Sequence, residues 1–89
     1  MFFVYMIKNP DNILYVGITK NPKQRVLYHN EKRGSNFTKI KHNLQIVFLE
    51  KYETLAHARQ REIQIKKWRR EKKEMLIEKF NLGLETKQP

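Results

Sequence analysis

The sequence predicts a small α+β domain, with a three-stranded antiparallel sheet flanked by helices in the order β-β-α-β-α-α. Three short runs of aromatic and β-branched residues, bounded by turn residues, predict the strands. After the third run the apolar residues follow a helical period, which predicts that two helices end the domain. A chain of 89 residues has room for one core only.

The first two strands and the first helix occupy the first third of the chain. We expect strands over Phe2 to Ile7 and Ile13 to Ile18, joined by the turn sequence KNPDN. A connection of this length favours an antiparallel hairpin. Asn21 followed by Pro22 marks a helix start, because asparagine caps a first turn and proline suits its first position. That helix is expected to run from Pro22 to about Glu31.

The remaining elements follow a break at the sequence KRGSN. Residues 37–43 are basic and irregular. A third strand is expected over Leu44 to Glu50, then a long helix from Thr54 to about Arg70 and a last helix over Lys72 to Phe80. Gly83 is a helix stop signal. We therefore expect a single domain over residues 1–82 and a flexible tail over residues 83–89.

Charge is the most informative bulk property. Nineteen Lys and Arg residues against nine Asp and Glu give a formal net charge of +10. Such an excess attracts polyanions, so nucleic acid is the leading partner class. A membrane surface is less compatible because the basic helical segments have no wide apolar face, and we expect neither a membrane span nor a signal peptide. The absence of cysteine excludes disulfides and thiolate metal sites and fits a cytoplasmic location.

Two tyrosines are expected on one face of the hairpin. Because strand side chains alternate, Tyr5 and Ile7 share one face of the first strand, and Tyr15 and Gly17 share one face of the second. If Ile7 pairs with Ile13, Tyr5 lies opposite Tyr15. Gly17 would leave a gap through which another group could approach the backbone. The alternative interpretation is an ordinary half-buried aromatic pair.

The helix after the hairpin adds two polar side chains. Arg25 and His29 are four residues apart and share a helical face. Val26 and Leu27 are expected to face the core instead. A solvated Arg and His at this spacing is common, but here the pair follows directly on a glycine-ended strand that carries a tyrosine.

The long helix contains a carboxylate within its apolar stripe. A period of 3.6 residues places on one stripe Leu55, Ala58, Glu62 and Ile65. An unpaired buried carboxylate is costly, so Glu62 needs a cation or a metal ion beside it. The alternative is a rotated helix, or an outward Glu62 paired with Lys66, which contributes only about 0.2–0.5 kcal/mol. Periodicity alone leaves both interpretations open.

A basic segment surrounds and follows this glutamate. Residues 59–73 contain eight basic side chains, with Trp68 among them. Basic residues interleaved with an aromatic suit a surface that tracks phosphates. Trp68 itself is expected to anchor the helix to the core. The residues expected to contact nucleic acid are Lys20, Lys39, Lys66, Lys67, Arg69 and Arg70.

In this order and spacing, the residues resemble the GIY-YIG nuclease superfamily, and in particular its small stand-alone bacterial members. The first motif occurs as FVY at Phe3 to Tyr5, with Phe3 in place of the motif glycine, and the second as YVG at Tyr15 to Gly17. The family's helix arginine, the residue one turn later, the metal-binding glutamate and the late asparagine match, in that order, Arg25, His29, Glu62 and Asn81. The resemblance spans residues 2 to 81, and it implies that Gly17 and Asn81 support the site.

The resemblance implies metal-dependent hydrolysis of phosphodiester bonds. Glu62 would hold one Mg²⁺ or Mn²⁺, with waters and phosphate oxygens as the other ligands. Arg25 would clamp the scissile phosphate. Tyr15 would be the general base, with Tyr5 supporting or replacing it, and His29 would position the attacking water or relay its proton.

The sequence therefore predicts a divalent-metal-dependent endonuclease acting on DNA, either structure-specific or of low sequence specificity. The alternative is a nucleic-acid-binding module that keeps the fold with little or no catalysis, which the small size favours. A structural or ribosome-associated basic protein would fit the charge but not the placement of the tyrosines and the glutamate. The choice between DNA and RNA, the oligomeric state and the pathway stay open.

Overall fold

The computed structural model describes residues 1–31 and 44–87, apart from the side chains of His29 and Glu31. Its elements are β1 (Phe2–Lys8), β2 (Leu14–Thr19), α1 (Pro22–Glu31), β3 (Gln45–Tyr52), α2 (Leu55–Lys66) and α3 (Arg70–Asn81). The predicted α+β class and element order are confirmed. The predictions for residues 32–43 lie outside the described residues.

β1 is the central strand of the sheet. The strand order is β2-β1-β3 and both pairings are antiparallel. Val4 and Met6 face α2 and α3, and the buried residues of this first core are Val4, Met6, Phe48, Ala58, Ile65, Leu76 and Ile77. Tyr5 and Ile7 point to the opposite face, where they pack with Val26 of α1 in a second core. The alternation of side chains along β1 thus places one core on each face of the sheet.

The register of the β1–β2 hairpin differs from the predicted one. Tyr5 pairs with Gly17 rather than with Tyr15. The cause is the turn, because Asn9 bonds to Ile13 twice: its backbone amide donates to the Ile13 carbonyl at 3.1 Å, and its Oδ1 accepts from the Ile13 amide at 2.8 Å. Ile13 therefore belongs to the turn and pairing starts one residue later. Since the register changes by an even number of residues, each side chain keeps its expected face, and the tyrosines become diagonal neighbours.

The break between α2 and α3 falls earlier than predicted. Thr54 caps α2, its hydroxyl accepting from the His57 amide at 3.2 Å, but the helix ends at Lys66 and not near Arg70. The Trp68 amide donates to the Ile65 carbonyl at 3.0 Å, which tightens the last turn. The Trp68 side chain packs against the first core, which confirms its predicted role as an anchor. α3 then begins at Arg70.

The end of α3 confirms the predicted stop at Gly83. Gly83 has φ of 73°, in the left-handed region that glycine favours. Its amide donates to the Phe80 carbonyl, and the Leu84 amide donates to the Lys79 carbonyl at 2.9 Å, the hydrogen bonds of a Schellman motif. In the segment predicted as a tail, Thr86 is buried and its carbonyl accepts from Arg61. The flexibility of residues 83–89 stays a prediction.

None of the helices in the described part of the chain is long and apolar enough to cross a membrane.

Candidate active site

Tyr5 lies over Gly17 on the sheet face that α1 covers. A Cβ atom built on Gly17 would lie 2.6 Å from the Tyr5 Oη and 2.7 Å from its Cζ, well inside contact distance. Glycine is therefore the residue that leaves room for the ring at this position. The gap expected at Gly17 is filled by Tyr5, which is only 7% exposed.

Two charges of opposite sign act on the Tyr5 phenol. Burial raises the pKa of Tyr5 above its usual value, the Arg25 guanidinium lowers it, and the Glu62 carboxylate raises it. Three elements, β1, α1 and α2, thus supply the phenol, the cation and the carboxylate of this electrostatic environment. The net direction is upward, so Tyr5 keeps its proton at neutral pH.

α1 presents Arg25 at the edge of this cluster. The helix starts where predicted, with the Asn21 Oδ1 accepting from the Gln24 amide at 3.1 Å. Val26 packs into the second core as expected, which leaves Arg25 exposed. A shallow cavity of about 390 Å³ lies beside Arg25 and is lined by Thr19, Asn21, Gln24, Arg25 and Tyr28. The expectation that Leu27 also faces the core is wrong, because its side chain is 59% exposed.

The buried face of α2 differs from the predicted stripe at two of its four positions. The buried residues of the helix are Ala58, Arg61 and Ile65. The prediction is therefore confirmed for Ala58 and Ile65, but the buried charged residue of the helix is Arg61 and not Glu62. Leu55, the first residue of the helix, is 42% exposed, so its predicted place on the buried face is wrong. Glu62 lies at the margin of the buried face.

At that margin, Glu62 combines the two interpretations that periodicity left open. Its side chain is 15% exposed, and its Oε2 lies 3.1 Å from the Nζ of Lys66. The i,i+4 ion pair is therefore present. The same carboxylate also acts on the Tyr5 phenol. Glu62 thus lies near enough to the Tyr5 phenol to act on it, and the exposed Lys66 is its counter-ion.

Of the other predicted site residues, Tyr15 lies on the same sheet face as Tyr5, whereas Asn81 lies at the end of α3. Tyr15 is half-buried in the second core, diagonal to Tyr5 on the same face. Asn81 is exposed at the last residue of α3, and no hydrogen bond between described residues joins its side chain to the cluster. The side chain of His29 lies outside the described residues.

A metal ion at this site would have one protein carboxylate. Over residues 1–31 and 44–87, no three His, Cys, Asp or Glu side chains lie together as a metal site. Glu62 alone fits a hard cation that takes most of its ligands from water and phosphate, as Mg²⁺ often does. The Lys66 ammonium lies 3.1 Å from its Oε2, so a metal ion bound there would replace this counter-ion.

Most of the cations predicted to contact nucleic acid are exposed. Lys20 follows β2, with its Nζ 5.3 Å from the ring centroid of Phe2. Lys67 and Arg69 are exposed in the link between α2 and α3. Lys66 is also exposed, although Glu62 engages it. Lys39 lies outside the described residues.

Arg70 is engaged within the protein. Its Nε donates to the Glu74 Oε2 at 2.7 Å and its Nη2 to the Asn12 carbonyl at 2.8 Å. Lys8 also bonds to both oxygens of Glu74, each at 3.2 Å. These bonds tie the hairpin turn to α3, so Arg70 has a structural role besides its predicted contact with phosphate.

Sequence reasoning missed a second charged cluster, which is buried. Glu50 of β3 and Arg61 of α2 are 4% and 8% exposed. The Arg61 Nε donates to the Glu50 Oε1 at 2.9 Å, and its Nη2 to the Oε2 at 3.1 Å. The Tyr52 hydroxyl donates to the same carboxylate at 2.8 Å, and burial together with this bond raises the pKa of Tyr52. The sequence signal that could have revealed this cluster was Glu50, because strand alternation places it on the same face as the apolar Phe48.

Comparison with known proteins identifies the family. Residues 1–75 match the model of the GIY-YIG catalytic domain. The chain belongs to the GIY-YIG family. The resemblance seen in the sequence is thereby confirmed, and membership indicates a nuclease-type domain that acts on nucleic acid.

Small bacterial GIY-YIG relatives match most of the chain. A UPF0213 protein of Staphylococcus aureus (strain N315) is 41% identical over 75 residues, which cover 84% of this chain and 92% of that protein. A UPF0213 protein of Staphylococcus saprophyticus is 37% identical over the same coverage. Among solved structures, an E. faecalis protein superposes with a TM-score of 0.63 at 27% identity, covering 98% of this chain and 93% of that one. A UPF0213 protein of Bacillus halodurans gives a TM-score of 0.57 at 25% identity, covering 88% and 84%.

Proposed function

We propose that this GIY-YIG protein is a divalent-metal-dependent endonuclease that hydrolyses phosphodiester bonds in DNA. The observation that carries the proposal is the buried Tyr5 phenol packed over Gly17, with the exposed Arg25 and the half-buried Glu62 near enough to act on its pKa. A surface that only binds DNA gains nothing from a carboxylate near the same phenol as its arginine, because the carboxylate repels phosphate. A carboxylate that holds a metal ion becomes useful there.

Glu62 is the residue that would hold Mg²⁺ or Mn²⁺. Bound there, the ion would stabilise charge on the phosphate oxygens and lower the pKa of a coordinated water. The half-buried position of Glu62 strengthens its attraction for a cation relative to an exposed carboxylate. Lys66, which neutralises Glu62 in the protein alone, would be released toward the DNA backbone.

Arg25 and the two tyrosines take the remaining roles. Arg25 is exposed beside a cavity, where its planar guanidinium can bind two oxygens of the scissile phosphate. Tyr5 keeps its proton, so it acts as a hydrogen-bond donor to the phosphate or to the attacking water. The general base is then Tyr15, as predicted from the sequence, with His29 positioning the water. Asn81 would support the fold at the end of α3.

A tyrosine base predicts a pH profile that rises toward alkaline pH. An ordinary phenol is only about 0.1% ionised at pH 7, equivalent to about 4 kcal/mol. The rate of cleavage should therefore increase by up to about tenfold per pH unit above pH 7, and Tyr15→Phe should remove that rise. A maximum near pH 6 that disappears in His29→Ala would transfer the base role to the histidine.

The decisive experiment compares the wild type with Glu62→Gln on branched, flapped and linear DNA. Each reaction contains Mg²⁺, Mn²⁺ or EDTA. We expect nicking that depends on the metal and falls at least about 100-fold in Glu62→Gln. Glu78→Gln, an exposed carboxylate of α3, removes the same charge elsewhere and should cleave like the wild type.

The alternative is a nucleic-acid-binding module with the same fold. The exposed cations Lys20, Lys67 and Arg69 favour it as well, since they serve binding with or without catalysis. If the wild type bound DNA without cleaving any substrate, and Glu62→Gln bound DNA equally well, the protein would be a binding module and not an enzyme.

A further inference from the structure

The buried ion pair between Glu50 and Arg61 has no part in the chemistry proposed above, yet it is fully satisfied. The guanidinium forms a two-bond fork with Glu50, donates to the Gln64 Oε1 at 2.7 Å and donates to the Thr86 carbonyl at 3.0 Å. The Trp68 ring lies 5.2 Å from its central carbon. Arg61 therefore joins α2 to β3 and to the carboxyl-terminal segment.

Stability alone does not explain such a pair. Removing two charges from water is costly, and apolar side chains of similar volume often stabilise a core equally well or better. What an ion pair adds is geometry, because a forked guanidinium accepts its carboxylate in few orientations. The pair therefore selects one arrangement of α2 among those that its apolar residues permit.

The apolar residues of α2 permit more than one arrangement. Only Ala58 and Ile65 are buried apolar residues of the helix, while Leu55 and Ile63 are 42% and 47% exposed. Two buried side chains, seven positions apart, align the helix with the sheet but fix its rotation weakly. The apolar pattern equally supports a rotation that buries Leu55.

Glu62 depends directly on this choice. It follows Arg61 in the sequence and lies about 100° further around the helix. With Arg61 bound to Glu50, Glu62 is placed at the margin where it acts on Tyr5. The rotation that buries Leu55 would bring Glu62 onto the buried stripe and take it away from the open site.

We propose that the Glu50–Arg61 pair sets the rotation of α2 and thereby holds the Glu62 carboxylate at the active site. Glu50 and Arg61 are positioning residues, since neither touches the reacting atoms. This proposal rests on the metal-binding role assigned to Glu62 for its consequence in catalysis, but the rotation itself is independent of any metal.

The test replaces the pair by apolar residues. The double variant Glu50→Leu, Arg61→Met removes both charges, so it should unfold within a few degrees of the wild type in a thermal melt. Mn²⁺ affinity, measured by the paramagnetic relaxation of water protons, should nevertheless fall by about tenfold. Glu74→Gln, which removes a carboxylate from the ion pairs of α3, is the matched control and should bind Mn²⁺ like the wild type. If Glu62→Gln weakens Mn²⁺ binding but the folded double variant binds Mn²⁺ like the wild type, with an unchanged Tyr5 pKa, the proposal is overturned.

A second measurement follows the rotation without metal. Because Glu62 raises the pKa of Tyr5, Glu62→Gln should lower that pKa, and the double variant should lower it in the same direction. Carbon-13 labelling of the tyrosine Cζ reports Tyr5 separately. Should the double variant fail to fold, Arg61→Lys keeps the charge but not the fork, and its Tyr5 pKa should also be lower than in the wild type.

The outcomes separate the two proposals. If the wild type binds Mn²⁺ no better than Glu62→Gln, the metal role of Glu62 fails, while a lowered Tyr5 pKa in the double variant still supports the rotation. If Mn²⁺ binding requires Glu62 but neither Mn²⁺ affinity nor the Tyr5 pKa changes in the double variant, the positioning role alone is wrong.

Discussion

α2 carries two charged clusters that differ in how completely the protein satisfies them. On one side, Arg61 and Glu50 are buried, and their charged groups are satisfied by hydrogen bonds to each other and to neighbouring groups. On the other side, Glu62 has an exposed lysine as its counter-ion, and Arg25 is exposed. A closed cluster fixes geometry, whereas an open cluster keeps its charge available to a ligand. Adjacent residues of one helix thus differ in how far their charge is satisfied within the protein.

We expect the largest difference between the two clusters when the carboxylate of each is removed in turn. Glu50→Ala leaves the Arg61 charge buried and should lower the free energy of unfolding by about 3–5 kcal/mol. Glu62→Ala removes an i,i+4 pair whose lysine is exposed and should change it by no more than about 1 kcal/mol. Urea denaturation followed by circular dichroism measures both. Equal losses of stability would contradict the division into closed and open clusters.

Gly17→Ala tests whether the packing of Tyr5 over Gly17 matters for the candidate active site. The new methyl would lie 2.6 Å from the Tyr5 hydroxyl oxygen and 2.7 Å from the ring carbon Cζ, and because the side chain is buried it cannot easily move away. We expect a loss of about 1–3 kcal/mol, with a further loss of cleavage beyond that explained by unfolding. Gly83→Ala is the control: its Cβ meets nothing within 4 Å, but its φ of 73° should cost about 1 kcal/mol without affecting cleavage. Cleavage that falls equally in both variants would remove Tyr5 from the site.

Lys66→Met sharpens the idea that Glu62 is open to a cation. The Lys66 ammonium on Glu62 competes with a divalent ion, so its removal should tighten Mn²⁺ binding by about two- to fivefold. Isothermal titration of Mn²⁺ into the protein measures the change. Lys67→Met, which removes the next exposed ammonium along the chain, should have less effect. If both variants bind Mn²⁺ with equal affinity, Lys66 acts only as part of the general positive field.

The smallest expected effect concerns the ion pairs of α3. Hydrogen bonds from Arg70, and then from Lys8, hold the pKa of the Glu74 carboxyl below its usual value. A lowered pKa in the folded state adds stability above the usual pKa of the carboxyl, and this stability is lost as the pH falls through the folded value. Glu74→Gln should therefore reduce stability at pH 7 by less than about 1 kcal/mol, since the pair is partly exposed, and have a smaller effect at pH 2. Denaturation at both pH values measures the difference, and an equal loss at pH 2 would contradict it.

Local patterns predicted the elements because each one depends on residues close in sequence. Strand alternation identified β1, β2 and β3, and Asn21 with Pro22 marked the start of α1 within one residue. The even spacing of Tyr5, Tyr15 and Gly17 placed them on one face even though the predicted register was wrong, since a two-residue change in register conserves the face.

The parts that could not be predicted depend on contacts between distant residues. The hairpin register was decided by the side chain of Asn9, which closes the turn on Ile13. The rotation of α2 depends on Glu50, and helical periodicity does not choose between Arg61 and Glu62 because they flank the stripe of Ala58 and Ile65 at similar angles on opposite sides. The charged residue in the apolar stripe was thus recognised as significant, but its neighbour is the one that is buried.

The central position of β1 has a consequence for how the chain is made. One edge of β1 can pair with β2 soon after synthesis, but the other pairs with Gln45–Tyr52 and must wait for that strand. At about 5–20 residues per second, translation of the intervening segment takes on the order of seconds. During that interval the nascent hairpin exposes an unpaired backbone edge, which can recruit strands from other chains. A longer segment between α1 and β3 would extend the interval and increase aggregation during expression.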